Sequence, residues 1–190
     1  SRVATRCNHT ATHLLHRALR AELGDHATQR GSMVDPDRMR FDFDNGQALS
    51  IEQIAQVEHR VNAMIRADHA VRWYEKSREE AMATPGLVAV FGEKYGEVVR
   101  VVDVGDGVCM ELCGGTHIDR TGRIGLFKIV AEEAVSRGVR RITALTGGAA
   151  LEYVQRVESM AKQVAGMLNA PVEDVPVRVE SLQKELREAK

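Results

Sequence analysis

The sequence predicts an α+β fold, with a mostly antiparallel sheet, helices packed on one face and further helices at the C-terminal end. Residues 4–23 and about 51–67 repeat apolar side chains with helical spacing. From residue 97, four short apolar runs divided by glycine-containing turns indicate strands that pair antiparallel. Helical periodicity returns at residue 147. Helices and strands that are segregated in this way along a chain are typical of the α+β class.

The first predicted helix, residues 4–23, has two faces and ends before Gly24, a residue suited to a helix C-terminus. At 100° per residue, one side forms an apolar stripe of Cys7, Ala11, Leu14, Leu15 and Ala18. His9, His13 and His16 cluster on nearly the opposite side. The histidines are therefore expected to lie outside the main apolar stripe, and for His16 we favour an exposed residue over a base.

The remaining elements follow from turns and caps. A "DPD" turn joins two alternating segments into a hairpin that ends at Phe43. Ser50 and Gln53 form a capping box for the helix at 51–67, and "HAVRWYEKS" indicates a strand before a short helix at 77–83. We divide the chain into a core at 1–146, a packing helix at 147–168, and a linker with the start of a helical arm at 169–190.

Composition excludes several classes of protein. The 26 basic and 27 acidic residues give a net charge of −1, so no broad basic surface binds nucleic acid by charge alone. Three scattered cysteines do not form a disulfide framework, which favours a reducing, cytoplasmic location. The sequence contains no apolar run of membrane-spanning length and no signal-peptide pattern. Both ends lie within helical pattern, so we expect a piece of a longer chain.

Two short motifs predict a metal site. His9 and His13 are one helical turn apart on one face, a spacing that suits two ligands of one ion. About a hundred residues later, Cys113 and His117 flank Gly-Gly-Thr, where glycine lets the backbone turn sharply. Thiolate and imidazole are the ligands that zinc prefers. We therefore favour one Zn²⁺ held by these four residues over a buried thiol and an unrelated turn histidine.

Neighbouring residues leave alternatives open. In a strand, Cys109 and Glu111 point to the same side as Cys113, so Cys109 could also reach the site. Glu111 is a candidate general base, and the alternative is a strand carboxylate paired with an arginine. For nucleic acid, the local basic residues are Arg120, Arg123, Arg137, Arg140 and Arg141. They could contact phosphates, or they could form a solvated turn and strand edge.

The motifs resemble the zinc-containing editing domain of alanyl-tRNA synthetases. "NHTATHLLHRAL" and "GSMVDPDRMRFDF" resemble its first half, and "FGEKYGEVVRVV" (91–102), "MELCGGTHIDRTGRIGLFKIV" and "GVRRITALTG" its second. "SLQKELREAK" is similar to the start of the helical linker that follows. Threonyl-type and free-standing editing domains share the ligand pairs, but "CGGTH" and "PDRMRFDF" favour the alanyl family.

The resemblance implies hydrolysis of the ester of tRNA(Ala) mischarged with serine or glycine. It implies a zinc site at His9, His13, Cys113 and His117, with Thr12 and Gln29 in the editing pocket. The implied partners are the acceptor end of tRNA(Ala) and the other domains of the synthetase. ATP and Mg²⁺ would belong to an aminoacylation domain, which these residues do not include. The alternative is a zinc-stabilised tRNA-binding module without activity of its own.

Overall fold

Eight strands form two four-stranded sheets among the residues that the computed structural model describes, which are 1–89 and 95–189. Together with the helices they make an α+β protein, so the predicted fold class is confirmed. The strands divide between two sheets where the sequence indicated one. Residues 91–94 of the motif at 91–102 lie outside the described part of the chain.

The first sheet has the order β1-β2-β8-β7 and is antiparallel throughout. Its strands are β1 (Gln29–Val34), β2 (Met39–Asp44), β7 (Phe127–Ser136) and β8 (Val139–Thr146). The predicted hairpin is present as β1 and β2, and β2 turns Met39, Phe41 and Phe43 into the core.

The second sheet has the order β3-β5-β6-β4. Its strands are β3 (Val71–Ser77), β4 (Leu87–Val88), β5 (Val98–Val104) and β6 (Cys109–Leu112). β3, β5 and β6 pair antiparallel, whereas the two-residue β4 lies parallel to β6. After β6, the chain runs through a loop to a 3₁₀ turn at Thr121–Ile124.

Helices α1 (Arg2–Leu23), α2 (Ile51–Arg66) and α3 (Arg78–Met82) belong to the same compact unit as the sheets, Ser1–Ala150. The capping box predicted at Ser50 and Gln53 is confirmed by both of its hydrogen bonds. Ser77 and Glu80 form a second capping box at α3. The apolar stripe of α1 is buried in the main core, including Cys7 as predicted.

The histidine side of α1 is also largely buried, so the expectation that His16 is exposed is wrong. Only 1% of His16 is exposed, and its ring packs 5.3 Å from that of Phe41. The cause lies elsewhere in the sequence, since β6 supplies a carboxylate that binds the His16 ring. Helical periodicity describes one element, and it does not reveal which other element covers its polar side.

The second compact unit, Leu151–Lys190, contains the rest of α4 (Gly147–Leu168), a 3₁₀ turn at Val172–Asp174 and α5 (Val175–Glu188). α4 has the range predicted for the packing helix, and α5 lies within the segment 169–190 that was predicted to begin a helical arm. Along the described part of the chain, no helix combines the length and the apolar character needed to cross a bilayer.

Candidate metal centre

Four side chains from two distant segments converge in the first unit. α1 presents His9 and His13 one turn apart, and the loop after β6 presents Cys113 and His117. One potential ligand atom from each residue lies within 4.8 Å of the other three. This set matches the four ligands that the sequence predicted.

The donor atoms fit a zinc ion. Nε2 of His13 and Nε2 of His117 are buried and have no hydrogen-bond partner among the described residues. Buried polar atoms are normally satisfied, so these two nitrogens require a partner that protein atoms do not provide. Nε2 of His9 lies 3.4 Å from Sγ of Cys113. Ligands about 2.0–2.3 Å from a tetrahedral ion lie roughly 3.5 Å from one another, so this spacing suits two ligands of one zinc.

Glu111 sets the orientation of the histidines on α1. It is only 3% exposed, and its carboxylate accepts hydrogen bonds from Nδ1 of His13 and, at 2.8 Å, from Nδ1 of His16. A proton held at Nδ1 of His13 leaves the Nε2 lone pair available for a metal. Both carboxylate oxygens are thus used by histidines, and neither the arginine pairing nor an unoccupied base is observed.

Thr10 has the corresponding role for His117, and sequence reasoning missed it. Its hydroxyl lies 3.2 Å from Nδ1 of His117 and accepts the backbone N–H of Ile118 at 3.3 Å. Arg6 donates from Nε to the carbonyl of His117 at 2.6 Å. Thr10 directly follows His9, but a buried threonine in a helix gives no sequence signal that identifies its partner. His117 is therefore fixed at its ring and at its backbone.

Gly115 explains the glycine pair between the two loop ligands. A Cβ atom placed on Gly115 would overlap the His9 ring, approaching Nδ1 to 2.6 Å. A Cβ atom on the neighbouring Gly114 would meet nothing within 4 Å. Close approach to the His9 imidazole, more than the turn itself, requires glycine at 115.

The two cysteines near the site differ in their protonation. Burial raises the pKa of Cys113, but the adjacent imidazoles of His117, His13 and His9 outweigh it and lower the pKa to about 3. Burial and the charge of Glu111 raise the pKa of Cys109 well above its usual value. Cys113 is consequently a thiolate at neutral pH, the form that binds metals, whereas Cys109 stays a thiol. Cys109 lies outside the group of four.

The histidine ligands are held in an electrostatically coupled group. Burial lowers the pKa of His13, but Glu111 and Cys113 outweigh it and raise the pKa to about 10. The pKa of Glu111 falls to about 2, because His13 and His16 outweigh the effect of burial. Burial lowers the pKa of His117 to about 4, which keeps its imidazole neutral. His117 and Cys113 are thus already in the protonation states that a metal requires, whereas His13 has to release its Nε2 proton when a metal binds.

The two predicted pocket residues lie in different surroundings. Thr12 is 3% exposed, and its hydroxyl donates to the carbonyl of Asn8 at 2.9 Å and lies 3.8 Å from Sδ of Met39. Gln29 begins β1, where its amide donates to Oγ of Ser32 at 3.2 Å. Among the described residues, no hydrogen bond joins Gln29 to the cluster.

The five predicted nucleic-acid-binding arginines occupy two separate places. Arg120 directly precedes the 3₁₀ turn and Arg123 lies within it, whereas the other three lie at the β7–β8 hairpin. Four of the five bind carboxylates of this chain, in the pairs Arg120–Asp68, Arg123–Asp119, Arg140–Glu132 and Arg141–Asp42. Arg137 is exposed in the hairpin turn without an ion-pair partner in the described part of the chain.

Comparison with known proteins shows which family this chain resembles in sequence. Residues 99–143 match the model of the threonyl and alanyl tRNA synthetase second additional domain. The chain is 51% identical to an alanine–tRNA ligase of Bordetella petrii over 98% of its own length, and 48% identical to that of Nitrosomonas eutropha over 99%. It spans only 21% and 22% of these two relatives.

Proposed function

Because the chain corresponds to a segment of the alanine–tRNA ligases, we propose that it is an editing domain that hydrolyses mischarged tRNA(Ala). The substrate is the ester that joins serine or glycine to the terminal ribose, and the activity is that of an aminoacyl-tRNA deacylase. The observation that supports this proposal is the cluster of His9, His13, Cys113 and His117, built from both halves of the core. The relatives from Bordetella petrii and Nitrosomonas eutropha are alanine–tRNA ligases. An enzyme that joins alanine to tRNA needs hydrolysis of mischarged products for its accuracy.

An active site that selects alanine for attachment to tRNA cannot exclude glycine and serine by binding alone. Glycine is smaller and therefore fits, and serine adds only a hydroxyl. One methylene group provides only about 1–3 kcal/mol of discrimination. A second site that accepts and hydrolyses the wrong products supplies the missing selectivity.

Zinc is the cofactor that these residues fit. When bound, such an ion supplies positive charge next to the ester carbonyl and holds the parts of the pocket together. Four protein ligands are the number found in structural zinc sites, which favours an organising role. Within the chain, Glu111 and Thr10 fix the ring orientations of His13 and His117. The reducing cytoplasm that we propose as the location would keep the Cys113 thiolate intact.

In the proposed reaction, water adds to the ester carbonyl, and the bond to the ribose oxygen breaks. The products are the free amino acid and tRNA with a free hydroxyl. Thr12 is the proposed recognition group for serine. Its hydroxyl proton is directed to the Asn8 carbonyl, so its oxygen can accept a hydrogen bond from the substrate hydroxyl. We retain Gln29 as a proposed pocket residue at the start of β1.

We propose residues 1–146 as the core that carries the site, 147–168 as a packing helix and 169–190 as a linker with the start of an arm. The proposed partners are the acceptor end of tRNA(Ala) and the rest of a synthetase. The reaction is a hydrolysis and uses neither ATP nor Mg²⁺. Four of the five predicted arginines would contact tRNA by exchanging their present carboxylate partners for phosphates. Arg137 has no carboxylate partner in the described part of the chain and could contact tRNA without such an exchange.

The first experiment measures zinc in the purified chain beside Cys113→Ser and Cys109→Ser. We expect about one zinc per chain in the wild type, since four ligands converge on one point. Cys113→Ser should lose the metal, and Cys109→Ser should keep it. Equal zinc content in all three proteins would contradict the ligand assignment.

The second experiment measures deacylation of seryl-, glycyl- and alanyl-tRNA(Ala) by the same chain. Turnover of the first two, with alanyl-tRNA spared, is the expected result. Thr12→Val should slow seryl-tRNA more than glycyl-tRNA, because glycine has no hydroxyl to recognise. Binding of tRNA without any turnover would instead identify a zinc-stabilised RNA-binding module.

A further inference from the structure

A basic cleft of about 550 Å³ adjoins the metal centre. This volume lies within the roughly 300–1,000 Å³ of sites for small ligands. His117 is part of its wall, together with four arginines at positions 2, 6, 72 and 100, and Asp119 is the acidic residue of the described lining. The carboxylate of Asp119 already binds Arg123. The cleft is therefore strongly positive although the chain as a whole is nearly neutral.

Trp73, the only tryptophan of the chain, stands at the edge of this cleft and is 60% exposed. In the second sheet it pairs with Val102, which pairs in turn with Glu111. Directly opposite residues point to the same face, and adjacent strands are about 4.8 Å apart. Trp73 consequently lies on the face that carries Glu111, roughly 10 Å across the sheet from it.

Arg100 joins the tryptophan to the metal-binding loop. Its guanidinium carbon lies 4.5 Å from the centroid of the Trp73 ring, and its Nη1 donates to the carbonyl of Gly114 at 3.2 Å. At the start of the loop after β6, the backbone N–H of Cys113 donates to the Arg100 carbonyl at 3.0 Å. A cation and an exposed aromatic ring are thus fixed next to the ligand loop.

Other cations of the cleft remain available to a ligand. Arg6 uses Nε on the His117 carbonyl, and its terminal nitrogens have no acceptor among the described residues. Arg2 is exposed and makes no ion pair in the described part of the chain. Arg72 is bound to Asp106, but both side chains are largely exposed. Such pairs contribute little and exchange readily for a phosphate.

We propose that this cleft binds the single-stranded 3′ end of tRNA, with a base stacked on Trp73 and phosphates on Arg100, Arg6 and Arg2. The inference rests on the proposed function, because it assigns a binding site to the RNA strand that carries the scissile ester. A positive groove with an exposed aromatic ring is the usual arrangement for unpaired nucleotides. The position of His117 in the cleft wall directs the end of that strand toward the cluster.

Tryptophan fluorescence tests this directly, since the chain has a single tryptophan and uncharged RNA undergoes no reaction. The probe is the trinucleotide CCA, titrated into the intact chain. We expect saturable quenching as a base stacks on the indole. Arg100→Gln should weaken binding about fivefold or more and lower the salt dependence by about 0.7 in log–log slope. Arg66→Gln, an exposed arginine outside the cleft lining, is the matched control.

A second variant pair separates stacking from charge. Trp73→Ala should raise KM for seryl-tRNA with little change in kcat, whereas Met82→Ala, which is also 60% exposed, should leave both unchanged. Inorganic triphosphate should compete with CCA without quenching. Equal quenching by triphosphate, or no quenching by CCA in a chain that deacylates seryl-tRNA, would overturn the cleft assignment. Quenching without deacylation would support the cleft and overturn the proposed hydrolysis.

Discussion

Replacing Glu111 by glutamine should weaken zinc binding without unfolding the chain. The substitution preserves shape but exchanges one acceptor oxygen for an NH₂ donor. Both oxygens of Glu111 accept hydrogen bonds from the Nδ1 atoms of His13 and His16. Glutamine can satisfy one of them, and the other would then face a donor. If the His13 ring moves its proton to Nε2, it loses the lone pair that would bind the metal.

The size of the effect follows from these hydrogen bonds. A hydrogen bond to a charged group contributes about 1.5–3 kcal/mol, and loss of such a partner behind a metal-binding histidine typically lowers affinity about 10–100-fold. For Glu111→Gln we expect about 2 kcal/mol, which corresponds to roughly 30-fold weaker zinc binding. The assay is chelator competition, with folding followed by circular dichroism.

Glu132→Gln is the matched control. The Glu132 side chain is 7% exposed and receives two hydrogen bonds from Arg140, both 2.6 Å long, in the first sheet. The Glu132→Gln variant should have a lower free energy of unfolding than the wild type but the same affinity for zinc. Zinc affinity within about twofold of wild type in Glu111→Gln would refute the positioning role. Full zinc retention with abolished deacylation would instead identify Glu111 as the general base.

Two further predictions concern the loop and the acid limit of stability. Gly115→Ala should displace the His9 ring and reduce zinc content, whereas Gly114→Ala should not; equal zinc content in both would contradict the close-approach argument. Burial raises the pKa of Asp44, but hydrogen bonds from Arg30 and Thr28 outweigh it and hold the pKa below 3.8. The pair therefore contributes stability above that pH and loses it as pH falls. In denaturant titrations, Arg30→Gln should cost up to about 1 kcal/mol at pH 7, with the difference vanishing at low pH, and a constant difference would disprove the linkage.

The fold and the ligand set could be predicted because their signals are local. The helical stripe of α1, the capping box at Ser50 and the spacing of each ligand pair can be read within a few residues. Convergence of the two pairs was inferred from ligand chemistry, because imidazole and thiolate are the groups that bind zinc and four of them complete its coordination. The division of the strands between two sheets gave no such local signal, because it depends on which strand β2 and β3 each select as a partner.

The sequence placed Glu111 on the same side of its strand as Cys113, but the partners of Glu111 and Thr10 could not be predicted, since each acts across the fold. Glu111 reaches His16 over 95 residues, and Thr10 reaches His117 over 107. The basic cleft was missed for the same reason. The arginines that cluster in sequence mostly bind carboxylates of this chain, whereas Arg6 and Arg100 come together only when α1 meets the second sheet.

The buried polar side of α1 links metal binding to folding. Thr10, Thr12, His13 and His16 are each at most 7% exposed, an expensive arrangement unless every polar atom has a partner. The β6 carboxylate satisfies both Nδ1 atoms, and backbone carbonyls of α1 accept from both threonines. What remains on α1 is Nε2 of His13 and Nε2 of His16, and only the first of these belongs to the cluster that Nε2 of His117 also faces. A metal at the cluster supplies the missing partner for His13 and His117, so its binding energy also stabilises the packing of α1 against the β6 loop.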